Sequence, residues 1–215
     1  MNSVFSVAKK HFLITAGGTR EYIDPVRFIS NASSGKMGYE LARAALKAGH
    51  KVTLITTVKK SEIRNQKSEV KIVEVISAAD MFKAVKNYFK KCDCLIMAAA
   101  VSDYTPIKIS KNKIKKENEN LTIKLKPTVD ILKWAGKNKK LGQIVVGFAL
   151  EDKNLRKNAE KKLKEKNLDM ITANSPAAIG AEKSTVYIKQ KNKKWLTLPK
   201  AAKFSIAKKI IAQIK

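Results

Sequence analysis

RFISNASSGKMG, running from Arg27 to Gly38, decides how this chain is read. The stretch is polar, rich in small residues, and holds two glycines. A short apolar run, Phe12-Leu13-Ile14, precedes it; a run with apolar residues at helical spacing, Met37 to Lys47, follows it. Glycine lets a backbone pass close to another group. Ser33 and Ser34 are favoured residues for capping a helix start, where unpaired N–H groups attract an anion. The stretch therefore fits a cradle for a phosphate or a carboxylate, with Arg27, Asn31 and Lys36 able to act on the bound group. It fits equally a capped helix start after an ordinary loop, because SSGKMG matches neither the P-loop pattern nor the dinucleotide glycine pattern.

Outward from this stretch, the chain alternates apolar runs with amphipathic ones. HFLIT (His11–Thr15), ending in Ala16-Gly17-Gly18, reads as a parallel strand and a tight turn. The segment from Thr19 reads as irregular, stiffened by Pro25. A helix is expected from Lys36 to Ala48, with Met37, Leu41, Ala45 and Leu46 on one face and Gly49 as its stop. Gly49–Thr57 is β-branched and closes a right-handed crossover unit. A polar loop (Lys59–Lys71) leads to a third strand, Val70–Ser77. The next helix, Ala78–Lys91, turns Met81, Phe82, Val85, Tyr88 and Phe89 inward.

Cys92–Tyr104 (CDCLIMAAAVSDY) is the second informative stretch. It reads as a buried strand whose carboxyl end carries Ala98, Ala99 and Ala100, then Asp103. Ligands bind at that edge of open α/β sheets. Three alanines leave room for a flat group, and Asp103 can accept hydrogen bonds there; close strand-on-helix packing also asks for small residues. Thr105–Lys126 is lysine-rich with short alternating segments, and reads as a mobile flap or hairpin. A lysine on such a flap can close over phosphates, and a solvated basic loop has the same composition. Beyond it come a short helix from Thr128 to Lys139 with Thr128 as cap, a buried strand at Gln143–Glu151 carrying Phe148, and a charged helix at Asn154–Asn167. A short strand (Leu168–Pro176), a hairpin (Ser184–Pro199) and a closing helix (Ala201–Lys215, with Phe204, Ile206, Ile210, Ile211 and Ile214 inward) complete the chain. The fold class expected is α/β: a Rossmann-like, mostly parallel sheet with helices on both faces, plus the flap and the C-terminal hairpin, in one domain over 1–215.

Composition narrows the function. Hydrophobic residues are 44% of 215, enough for a core. No apolar run reaches the roughly 20 residues that span a bilayer, and the N-terminus lacks a signal-peptide pattern, so a cytoplasmic protein without a membrane partner is expected. The two cysteines, Cys92 and Cys94, are one residue apart, which suits a strand and not a zinc knuckle. They are read as free thiols, and no metal ligands are assigned to the chain. Net charge is +27, which attracts polyanions. The charge is nearly all lysine and is spread over every predicted helix, whereas a surface that reads DNA concentrates Arg and Lys on one element. A specific nucleic-acid partner is therefore not expected.

Several stretches together, LITAGGTREYIDPVRFISNASSGKMG, AAAVSDYTP, KIKK (Lys113–Lys116), VGFALE and KNLDMITAN, give the chain a likeness to one family. It resembles bacterial phosphopantothenoylcysteine synthetase, the ligase often fused behind a flavin-dependent decarboxylase in coenzyme A synthesis, here in an expected stand-alone form. The resemblance implies that CTP activates the carboxylate of 4′-phosphopantothenate as an acyl-cytidylate with release of pyrophosphate. The amine of cysteine then attacks and releases CMP. Joining two anions asks for cations and for Mg²⁺ on the phosphates, and the second step asks for a placed neutral donor.

The resemblance also implies roles. Asn31 would polarise the acyl carbonyl, Arg27 would assist the second half-reaction, and Lys113 on the flap would serve the first. Ala98, Ala99, Ala100, Asp103, Asp130, Ile131 and Phe148 would line the nucleotide pocket, with Lys162 and Lys166 on phosphates. Gly17, Gly18, Ser33, Ser34, Gly35, Lys36 and Gly38 would form the substrate cradle. A homodimer with shared sites is implied, and so is a separate decarboxylase as a possible partner. Val129 and Gly18 stand where family members commonly have proline. A Rossmann-type NAD(P) oxidoreductase is the rival enzyme reading; it is disfavoured by the lack of GxGxxG after the first strand and of a Tyr-x-x-x-Lys pair.

Overall fold

The computed structural model describes residues 8–58 and 70–214. The first seven residues and most of the polar loop expected at Lys59–Lys71 lie outside the described residues. In chain order the strands and helices begin with β1 (His11–Ala16), β2 (Arg20–Tyr22), β3 (Phe28–Ser30), α1 (Lys36–Lys47), β4 (Lys51–Thr56) and β5 (Val70–Glu74). Next are α2 (Ala78–Phe89), β6 (Cys94–Met97), β7 (Tyr104–Pro106), β8 (Leu125–Pro127), α3 (Ile131–Asn138) and β9 (Ile144–Leu150). The chain closes with α4 (Leu155–Glu165), β10 (Met170–Asn174), β11 (Lys183–Gln190), β12 (Leu196–Ala202) and α5 (Lys203–Ala212).

Eight strands form one sheet in the order β12-β11-β10-β9-β6-β1-β4-β5. Every pairing from β10 to β5 is parallel, and β11 and β12 are antiparallel. The expected α/β architecture, with its C-terminal hairpin, is what forms. The apolar runs explain the layering. Strands buried on both faces read as continuous hydrophobic stretches, and from Phe12 to Ala16 β1 has no exposed surface. Phe12, Ile14 and Ala16 face a core shared with α1 and α5; Leu13 faces the core under α2, α3 and α4. At Gly38 a Cβ would lie 2.5 Å from the Ala16 Cβ, so α1 sits directly on β1.

Local expectations fare less evenly. The segment read as irregular after Thr19 contains the antiparallel pair β2/β3. Neither Ser33 nor Ser34 caps α1. Its N-cap is Gly35, in the left-handed region at φ 74° with no side-chain cap, and the Ser33 hydroxyl accepts only the Gly35 N–H at 3.4 Å. Thr128 is likewise not the cap of α3: that place belongs to Asp130, whose carboxylate accepts the Lys133 N–H at 2.9 Å, while the Thr128 hydroxyl donates to the Ser102 carbonyl at 2.6 Å. The closing helix starts at Lys203 and not Ala201, because Ala201 and Ala202 are still paired with β11. Phe204 is only half-buried, under the Arg43 guanidinium at 3.9 Å from the ring centre. In the flap only the base is regular, as the ladder β7/β8, and the connection is docked: the Ser110 N–H donates to the Ile23 carbonyl at 2.9 Å.

Candidate active site

The sheet order reverses at β1. The chain moves from β1 outward to β4 and β5, then returns to the other side of β1 for β6, β9 and β10. Helices leaving neighbouring strands in opposite directions open a crevice at their carboxyl ends. Two loops interlock there. The Ala100 N–H donates to the Gly17 carbonyl at 2.9 Å, and the Thr19 N–H returns a bond to the Ala100 carbonyl at 3.2 Å. Gly17 has φ 87°, and a Cβ on it would lie 2.1 Å from the Thr57 hydroxyl, so only glycine makes this turn. Buried Thr19 accepts the Ser102 N–H at 2.9 Å and locks the alanine run in place.

A cleft of about 610 Å³ opens above this junction. One wall is the central stretch: Asn31, Ser33, Ser34, Gly35 and Lys36. Its floor is Ala98, Ala99, Ala100 and Asp103 after β6, with Phe148 from β9. The opposite wall brings Asp130 and Ile131 from the start of α3, and Lys162 and Lys166 from α4 and its end. These residues stand far apart in sequence, and the strand order gathers them at one edge.

Of the other residues singled out, Gly17, Gly18 and Gly38 shape the cleft from behind it. Gly18 lets the Asn31 carbonyl approach, since a Cβ there would lie 2.6 Å from it. Arg27 and Lys113 do not line the cleft. Arg27 Nε donates to Asp24 Oδ2 at 2.9 Å, and its guanidinium also reaches the Ile114 carbonyl at 2.6 Å. Lys113 is exposed on the flap beside that contact.

Three lysines that line the cleft are ion-paired. Lys166 Nζ lies 2.8 Å from Asp130 Oδ2, Lys162 Nζ lies 3.7 Å from Glu151 Oε1, and Lys36 is ion-paired with Glu182. Burial raises the Asp130 carboxyl, but the Lys166 ammonium and the Lys133 N–H outweigh it and hold the group below its ordinary value. Hydrogen bonding to Lys36 lowers Glu182. The Asn31 side-chain N–H groups donate to the carbonyls of Ala100 at 3.4 Å and Val101 at 3.2 Å, which ties the cradle to the alanine floor. The two cysteines are free and buried, and burial pushes the Cys92 thiol up to about 12, so it is inert at neutral pH.

Asp24 and Lys203 were not singled out in the sequence. Asp24 is fully buried. Its Oδ1 accepts the N–H groups of Val26 at 2.8 Å and Arg27 at 2.9 Å, and its Oδ2 accepts the Ile114 N–H at 3.1 Å. The Asp-Pro pair before Arg27 was its available signal, since such pairs initiate turns. Lys203 lines the cleft and is 9% exposed. As one lysine among many, at the edge of an amphipathic run, it carries no pattern that separates it from the rest.

Among the described residues no helix is long and apolar enough to cross a membrane. Residues 7–215 match the model of the DNA/pantothenate metabolism flavoprotein C-terminal domain. The chain is 44% identical over 209 residues to the coenzyme A biosynthesis bifunctional protein CoaBC of Bacillus subtilis, a match that covers 95% of this chain and 51% of that protein. The chain thus spans about half the length of the curated relatives it matches. The solved C-terminal domain of a CoaBC protein superposes with a TM-score of 0.79 at 40% identity, covering 95% of this chain and 93% of that one. The DNA/pantothenate metabolism flavoprotein of Streptococcus pneumoniae superposes at 0.81 with 27% identity, covering 95% and 98%. This chain belongs to the DNA/pantothenate metabolism flavoprotein C-terminal domain family.

Proposed function

We propose that the chain is a phosphopantothenate–cysteine ligase of coenzyme A synthesis that uses CTP. The observation that carries the proposal is the convergence, at the β1/β6 edge, of Asn31 and the Ser33–Lys36 cradle with the alanine floor and the lysines of α4. The names of the relatives place them in the same biosynthesis. A carboxylate becomes electrophilic only when its oxygen is made a good leaving group, and transfer to the α-phosphate of a nucleotide achieves this. The alanine floor leaves space for the base and ribose, Phe148 packs at the base, and Asp103 accepts from the sugar. Lys36, Lys162 and Lys166 exchange their acid partners for phosphate oxygens, and Lys113 comes over the triphosphate from the flap.

Mg²⁺ would be held chiefly by the phosphate oxygens of the nucleotide and would neutralise their charge. In the second step the amine of cysteine adds to the acyl carbonyl, and the Asn31 amide stabilises the oxyanion before CMP leaves. Arg27 acts at one remove, by holding the flap. The active unit is a homodimer in the cytoplasm, and the product goes on to a flavin-dependent decarboxylase. The test is to incubate the chain with CTP, Mg²⁺, 4′-phosphopantothenate and cysteine and follow the products by mass spectrometry. Phosphopantothenoylcysteine and CMP forming in equal amounts, and only with all components, supports the reading. No amide product with CTP or ATP refutes it.

A further inference from the structure

The cleft has two cationic ends, on opposite faces of the sheet. At the α4 end, Lys162 and Lys166 are each matched by an acid, Glu151 and Asp130. The α1/α5 end is built differently. Lys203 opens α5, is 9% exposed, and donates from Nζ to the Ala178 carbonyl at 3.1 Å. A carbonyl offsets a buried ammonium only in part. Burial, then the nearby charge of Lys36, lowers the proton affinity of Lys203, and Glu182 opposes this. Glu182 is meanwhile the ion-pair partner of Lys36, its side chain 76% exposed, and its carbonyl accepts the Lys203 N–H at 3.3 Å. Neither α1 nor α5 has a side-chain cap; the Lys203 N–H of α5 is taken by the Glu182 carbonyl, whereas the start of α1, Gly35 to Met37, lines the cleft together with Lys203. A buried cation, a second cation held by a solvent-facing carboxylate, and the uncapped start of α1 together suit one compact anion.

We propose that Lys203 is a further phosphate-binding residue of this cleft, acting with Lys36, and that the incoming phosphate takes the place on Lys36 that Glu182 now holds. The proposal deepens the ligase reading, in which two phosphorylated substrates, a nucleoside triphosphate and a phosphomonoester acid, share the cleft. Lys203→Met keeps most of the length of the side chain and removes its charge. Glu182→Gln frees Lys36 without touching the cleft wall.

Calorimetric titration of the full chain with inorganic tripolyphosphate, with CTP–Mg²⁺ and with 4′-phosphopantothenate tests the proposal. Loss of a charge-assisted hydrogen bond corresponds to roughly tenfold to hundredfold weaker binding for Lys203→Met. Release of an exposed ion pair corresponds to up to about fivefold tighter binding for Glu182→Gln. A loss seen with CTP and not with phosphopantothenate assigns this end to the nucleotide; the reverse assigns it to the acid. A chain that binds tripolyphosphate through Lys203 yet makes no amide product keeps this site and removes the ligase reading. Lys203→Met binding all three ligands as tightly as the unaltered chain overturns the proposal. If Lys203→Met has no thermal unfolding transition, Glu182→Gln decides alone: tighter binding supports the exchange, and unchanged binding overturns it.

Discussion

At the scale of single residues, the clamp around Asp24 changes how Arg27 is understood. The guanidinium is not in the cleft; it is spent on Asp24 and on the carbonyl next to Lys113. Arg27 therefore holds the flap at Ile114, next to Lys113. Its hydrogen bond, with three backbone N–H groups, holds the Asp24 carboxyl well below the usual carboxylate range, against the effect of burial. Because the folded value is depressed, this contribution to stability is fully present above 3.8, the ordinary value, and is lost as pH falls toward the folded value. Asp24→Asn should therefore lower the melting temperature at neutral pH, and the gap to the unaltered chain should shrink on acidification below that point. A gap that stays constant, followed by thermal unfolding across pH, would refute the clamp. Lys113→Gln should slow pyrophosphate release at saturating CTP, while Asn31→Asp should release pyrophosphate normally and accumulate acyl-cytidylate. Losing one placed donor typically costs about a hundredfold to a thousandfold in rate, so rapid-quench analysis of Asn31→Asp without any intermediate would remove the assigned role.

At the scale of elements, the start of α1 is the point where sequence reading was both most useful and least accurate. The stretch from Arg27 to Gly38 announced a helix start facing a ligand edge, and it faces the cleft. The capping serines did not cap, because Gly35 takes a left-handed turn that brings it against Gly17; a Cβ on Gly35 would lie 3.0 Å from the Gly17 N. Helical spacing could place the helix, but that backbone contact comes from β1 and was invisible to it. Gly35→Ala should cost about 1–2 kcal/mol through the left-handed backbone alone, measurable by urea unfolding, and should weaken nucleotide binding as well. An unchanged midpoint would contradict the turn. Leu41, fully buried between α1 and the sheet, serves as the comparison: Leu41→Ala should cost about 2–5 kcal/mol and leave the cradle residues in place.

At the scale of the molecule, the strands were legible because buried parallel strands are continuous apolar runs, and the crossovers followed from their alternation with amphipathic helices. The strand order was not legible, and the order is what gathers Asn31, Ala98, Phe148 and Lys166 into one cleft. The β2/β3 pair escaped because three-residue strands carry no period, and Lys203 escaped because lysine is everywhere in this chain. The charge of +27 has one direct consequence: binding to DNA should show no sequence preference and fall steeply with salt. Sequence preference that persists in salt would return nucleic acid to the account. Exposed Phe28, Ile107, Ile109 and Leu125 on the β2/β3 and β7/β8 segments suit the proposed dimer contact. Phe28→Glu should then convert a sedimenting dimer to monomer, and an unaffected dimer would move the contact elsewhere. The proposed ligase must activate a carboxylate with a nucleotide before the amine acts. The most direct measurement is pyrophosphate release from the chain with 4′-phosphopantothenate and Mg²⁺ in the absence of cysteine, comparing CTP with ATP. A burst that requires phosphopantothenate and prefers CTP is the result expected. No release with either nucleotide would contradict nucleotide activation of the carboxylate.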